Sequence, residues 1–85
     1  MKVELRYFAS LREALGTGAE SLELPADVRN IGELRHFLQA RGGVWQEVLN
    51  DQRAVRAAQN HVVCDQACQL QANAEIAFFP PVTGG

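Results

Sequence analysis

The sequence predicts an α+β fold in which a mixed sheet packs against one main helix, and three observations carry that prediction. Two short runs near the start, Lys2 to Phe8 and Ser21 to Leu24, alternate apolar and polar residues and are joined by a brief connection. A single amphipathic helical run then opens at Asn30 and is stopped by Gly42-Gly43. After it the chain returns to strand character and runs into the core through Glu75-Ile76-Ala77-Phe78-Phe79.

Each element follows from its own pattern. In the first strand Val3, Leu5 and Tyr7 share one face and Lys2, Glu4, Arg6 and Phe8 the other, the signature of a half-buried strand. Ser10-Leu11-Arg12-Glu13 has capping-box spacing, which predicts a short helix opening at Ser10 and closing at Gly16 and Gly18. Pro25 ends the second strand, so the two strands are expected to form an antiparallel hairpin with an elaborated loop. In the main helix Asn30 is the expected N-cap, with Glu33 three residues on, and Ile31, Leu34, Phe37 and Leu38 recur at helical spacing. Val44 to Leu49 reads as a further helical turn that plugs one end of the core with Trp45 and Leu49. Arg53 to Gln59 carries Val55 and Ala57 at strand spacing, Asn60-His61 signals a turn, and Val62-Val63 reads as a brief edge strand. Leu70 anchors the polar segment that follows, and Ala72-Asn73-Ala74 turns the chain into the last strand. Two strands, a helix and further strands in this order describe a ubiquitin-like β-grasp sheet.

Composition bounds the function. Eighty-five residues, 47% hydrophobic and 21% charged, are expected to make one self-folding domain over 1–79, with a protruding flexible tail over 80–85. A net charge of −2, a pI near 5.6 and a single lysine, Lys2, exclude a phosphate-backbone binder, which needs a basic face. Met1 to Arg6 holds no uninterrupted apolar stretch, so neither a signal peptide nor a membrane span is expected, and a cytoplasmic location is.

The tail is the most informative stretch. Pro80-Pro81 cannot extend a hydrogen-bonded ladder, so they end the strand at Phe79 and stiffen the chain into an extended rod. Val82 and Thr83 are small and Gly84 and Gly85 have no side chain, which suits a backbone that must thread a narrow tunnel in another protein. Gly-Gly alone could be mere slack. Following a strand and a Pro-Pro stop, it reads as a reagent delivered to a partner.

Ala77-Phe78-Phe79-Pro80-Pro81-Val82-Thr83-Gly84-Gly85, together with Tyr7-Phe8-Ala9 and Leu11-Arg12-Glu13, resembles the molybdopterin synthase small-subunit family, the ubiquitin-like sulfur carriers of molybdenum cofactor synthesis. The likeness runs along essentially the whole chain. One departure is Ala72-Asn73-Ala74, where the family often has a Gly/Asp-rich turn. The resemblance implies a chain that is not an enzyme by itself and binds no cofactor stably. It implies that Gly85 is adenylated, at the expense of ATP, by a ubiquitin-activator-like adenylyltransferase. A cysteine desulfurase or rhodanese-type sulfur donor would then convert the adenylate to a thiocarboxylate. The large synthase subunit, in a heterotetramer of two small and two large subunits, would take in the tail and pass its sulfur to cyclic pyranopterin monophosphate. Two other fates share the Gly-Gly end: a carrier for another sulfur pathway such as thiamine synthesis, and a modifier joined to protein lysines. The Phe-Phe-Pro-Pro tail speaks against the first of these.

Strand parity adds a docking face. Phe8 falls opposite to Val3, Leu5 and Tyr7, and Phe79 opposite to Ile76 and Phe78, so both rings are expected to be outward, near where the tail departs. Val62 and Val63 are expected to split between faces, and the resemblance selects Val63 as the outward one. No internal catalytic constellation emerges. Cys64 and Cys68 cannot complete a tetrahedral metal site and read as packed or exposed thiols. His36 and His61 read as surface residues, and Glu4, Glu13, Glu33 and Glu47 are scattered over different elements without an acid/base pair.

Overall fold

Val3, Leu5 and Tyr7 are fully buried along β1 (Lys2–Tyr7), so the alternation of the first run is the alternation of a sheet with one covered face. The computed structural model describes residues 1–81. After β1 come α1 (Ala9–Leu15), β2 (Ala19–Glu23), α2 (Ile31–Gln39), α3 (Val44–Leu49), β3 (Arg56–Gln59), β4 (Val62–Cys64) and β5 (Glu75–Phe79). The strands form one mixed sheet in the order β2-β1-β5-β3-β4, with β1 and β5 parallel and the other pairs antiparallel. This is the expected ubiquitin-like β-grasp arrangement of the α+β class.

The last strand lies in the middle of the sheet. Register pairs Leu5 with Ile76 and Tyr7 with Phe78, and across the other edge Ala57 with Phe78 and Gln59 with Ile76. Ile31, Leu34 and Leu38 of α2, Leu11 of α1 and Leu49 of α3 join these residues in one hydrophobic cluster. Truncating a ring such as Phe78, 1% exposed, to alanine in this core would cost about 3–5 kcal/mol.

Helix ends follow local chemistry, with one correction. Asn30 Oδ1 accepts from the Glu33 N–H at 2.8 Å, while Glu33 Oε1 reaches back to accept from the Arg29 N–H at 2.9 Å. Ser10 and Glu13 form no such cap. Helix α1 begins one residue earlier than expected, and Phe8 stands at its N-cap without any side-chain hydrogen bond. The Phe8 carbonyl instead accepts from Leu11 and Arg12 N–H at 3.1 and 3.4 Å, so the backbone of the strand end opens the helix directly. Gly16, with φ of 73°, closes it in the left-handed conformation that glycine adopts without strain.

Strand boundaries shift for physical reasons. Strand β2 starts at Ala19, pairing with Arg6, and ends at Glu23, leaving Leu24 beyond it but still buried. Strand β3 starts at Arg56 rather than Arg53, because the Arg53 carbonyl is held by a guanidinium from α2 instead of a neighbouring strand. Asn73, with φ of 65°, makes the turn before β5. Its N–H donates to the Lys2 carbonyl at 2.7 Å.

Candidate functional site

The uncovered face of the sheet carries a short apolar strip. Register places Arg6, Ala77, Ala58 and Val63 in one row across β1, β5, β3 and β4, with Arg56 and Phe79 paired in the next. Phe8 continues β1 in an extended conformation and donates its N–H to the Phe78 carbonyl at 3.2 Å, which sets it beside Phe79 in the parallel register. Its ring is 48% exposed and Val63 is 56% exposed, whereas Phe79 and Ala77 are half-buried. Ala58 is 7% exposed on this same face, since a methyl group in mid-sheet is shaded by the side chains around it. The three residues chosen from parity and resemblance, Phe8, Val63 and Phe79, therefore lie on one side of the sheet.

Val62 and Val63 do split between faces: Val62 pairs with Gln59 in the row of buried Ile76, and Val63 lies on the outer side. Val62 is nonetheless 68% exposed, more than Val63, so neither is covered. The reason is position: β4 is a three-residue edge strand, and beside Val62 the inner face opens into a cleft rather than packing under a helix.

The strip leads to the root of the tail. Pro80 and Pro81 are half-buried, and Pro80 lines a hollow with Leu11 and Ala14 of α1, Val48 of α3, and Arg53 and Val55 of the loop before β3. The remaining tail positions, Val82, Thr83, Gly84 and Gly85, lie outside the described residues.

Two polar networks brace this end of the molecule, and neither was anticipated. Arg35 is 4% exposed, and burial holds its guanidinium below the usual arginine range. It donates from Nε to the Leu49 carbonyl at 2.7 Å and from Nη2 to the Asn50 and Arg53 carbonyls at 2.5 and 2.9 Å, tying the end of α3 and the following loop to α2. The signal was present in the spacing, because position 35 follows Ile31 by four and falls inside the buried stripe, while Phe37 is only half-buried. In the second network Arg41 donates to both carboxylate oxygens of Glu20 at 2.8 and 2.9 Å and lies 4.3 Å over the Trp45 ring. The Trp45 ring meets Tyr7 edge-on at 5.5 Å and packs half-buried against the core cluster, the plug expected of it. Hydrogen bonds from Arg41 first, and then from Tyr7, hold Glu20 below the usual carboxylate range.

Both histidines are exposed as expected, with His36 Nε2 2.9 Å from Asp51 and His61 Nε2 3.4 Å from Glu75. Among the described residues no group of three or more His, Cys, Asp or Glu side chains converges as a metal ion would need, and no helix is long and apolar enough to cross a membrane. What the described residues present is an exposed apolar strip beside the point where the chain leaves β5.

The ThiS family model matches residues 5–85. The molybdopterin synthase sulfur carrier subunit of Escherichia coli (strain K12) is 36% identical over 83 residues, covering 98% of this chain and 99% of that one. Among solved structures, SAMP1 from Haloferax volcanii superposes with a TM-score of 0.78 at 23% identity over 100% of both chains, which shows the fold. A chain from the complex of subunits 1 and 2 of the molybdopterin-converting factor of Helicobacter pylori 26695 matches with a TM-score of 0.69 at 26% identity, again over 100% of each. With the β-grasp sheet, the outward Phe8 and the Phe79-Pro80-Pro81 tail root in place, a match of this extent means that the chain belongs to the ThiS family and groups with the molybdopterin synthase sulfur carrier subunits.

Proposed function

We propose that this chain is the sulfur carrier subunit of molybdopterin synthase, with Gly85 as the residue that carries the sulfur. The observation that carries the reading is the whole-length likeness to the carrier subunits, joined to an apolar strip that ends at the root of the tail. A glycine α-carboxylate, with a pKa of about 3.3–3.7, is an anion at neutral pH and a poor electrophile. A partner adenylyltransferase therefore spends ATP to make the glycyl adenylate, a mixed anhydride with a good leaving group. A sulfur donor then displaces AMP and leaves the thiocarboxylate. Phe8, Phe79 and Val63 dock on the large subunit, Pro80 and Pro81 keep the tail extended, and Val82, Thr83 and Gly84 let it thread to the site where sulfur passes to the pyranopterin precursor. Catalytic side chains reside in the large subunit.

The intact mass of the chain isolated from cells tests this. An oxygen-to-sulfur exchange localised to Gly85 is expected, and deleting Gly85 should abolish dithiolene formation with the fold unchanged. Adducts on lysines of other proteins without any thiocarboxylate would identify a modifier instead. A Gly85-deleted chain that still supports dithiolene formation would refute the carrier role.

A further inference from the structure

Cys64 closes β4, and Cys68 ends a turn in which the Asp65 carbonyl accepts from the Cys68 N–H at 3.1 Å and Asp65 Oδ1 accepts from the Ala67 N–H at 2.9 Å. That turn folds the chain back, so both half-buried, unbridged thiols line one cleft with Gln59, Asn60, Val62 and Gln71. The Gln59 amide donates to Cys68 Sγ at 3.5 Å. Backbone around Cys68 is anchored to α2, since the Gln66 carbonyl accepts from the Gly32 N–H at 2.9 Å and the Cys68 carbonyl from the Ile31 N–H at 3.1 Å. Strand β4, by contrast, is an edge strand held through three register pairs to β3 alone.

We propose that Cys64 and Cys68 form a redox modification site, closing to an intramolecular disulfide by exchange with a small-molecule disulfide of the glutathione class and so bracing the free edge of the sheet beside Val63. In the first step the Cys68 thiolate attacks one sulfur of the oxidised reagent and expels one thiolate, leaving a mixed disulfide. In the second, Cys64 loses its proton to solvent, attacks Cys68 Sγ and expels the second thiolate. Two protein thiols are oxidised and one small disulfide is reduced to two thiols. The Gln59 amide that donates to Cys68 Sγ is placed to stabilise a thiolate there and assigns Cys68 the first attack, while burial first, and then the adjoining Cys68 thiol, push Cys64 up to about 11. Closure should therefore quicken as pH rises. The bond would tie the most weakly held strand to the N-terminus of α2. Its effect on docking rests on the carrier reading, whereas its formation does not.

The test uses the full chain, reduced and then equilibrated with mixtures of reduced and oxidised glutathione, followed by alkylation and intact mass. The expected result is loss of two hydrogens, both cysteines closed to alkylation, no glutathione retained, and amide exchange at Val62 and Cys64, the β4 residues whose N–H groups face β3, slowed by about tenfold. Cys64→Ser should instead trap one glutathione on Cys68. A chain that stays a dithiol across the whole range, retains glutathione on the native pair, or links only between two molecules would overturn the site. Closure with unchanged amide exchange would overturn the bracing. If the disulfide forms but neither redox state binds the large subunit, the carrier reading fails and the modification site stands.

Discussion

The Tyr7 hydroxyl donates to Glu20 Oε2 across 2.9 Å, joining a fully buried ring of β1 to the outer strand β2. Glu20 also receives both arms of Arg41, so one carboxylate couples the strand edge, the segment after α2 and, through the Arg41–Trp45 stack, α3. The ordinary pKa of this carboxyl is 4.5, and its folded value is lower. A depressed folded pKa contributes stability that is present above the ordinary value and is lost as pH falls through the folded one. Glu20→Gln is expected to cost about 1–2 kcal/mol at pH 7 and to flatten the acid limb of stability against pH. Urea unfolding of both proteins from pH 7 to pH 3 checks this; parallel curves would show that Glu20 is not the group responsible.

Arg35→Met keeps much of the apolar stem but leaves the Leu49, Asn50 and Arg53 carbonyls without their cation. The expected loss is about 2–4 kcal/mol, a fall in Tm of more than about 10 °C for a domain of this size. Thermal unfolding reads it directly. A change within about 0.5 kcal/mol would mean that water replaces the guanidinium at little cost.

On the proposed carrier role, Gly84→Phe puts a ring on the segment that has to enter the partner enzymes. Adenylation or sulfur transfer should fall severely while folding stability stays within about 0.5 kcal/mol, because no described core residue is touched. Single-turnover assays with the activating enzyme and with the synthase would separate the two steps, and normal rates in both would remove the tunnel argument.

Phe8→Ala and Phe79→Ala are each expected to weaken binding to the large subunit by about 1–3 kcal/mol. Phe8, 48% exposed, should cost the isolated domain well under the 3–5 kcal/mol of a buried Phe truncation, and half-buried Phe79 somewhat more. Calorimetric titration alongside thermal melts distinguishes docking from packing. Unchanged affinity with a collapsed Tm would assign both rings to the core.

What the sequence determined by itself was whatever rests on local periodicity and local backbone chemistry. Val3, Leu5 and Tyr7 alternate because a strand repeats every two residues, Asn30 caps α2 because its side chain reaches the Glu33 N–H, and Pro80-Pro81 end β5 because proline has no donor for a ladder. The outward side of Phe8 and Phe79 was legible from the same parity. Only the tertiary structure decided which residues meet across the chain. Capping-box spacing at Ser10 lost to the carbonyl of Phe8, since strand and helix abut with no residue to spare. Val62 stayed exposed because β4 is the sheet edge, and edge position is set by strand order, not by the pattern within a strand. Arg35 was buried because its own partners, three carbonyls fourteen to eighteen residues away, come within reach once α3 folds beside α2. Cys64 and Cys68 share a cleft because the Asp65 turn folds back against a strand, a pairing that depends on the bend between them more than on their spacing.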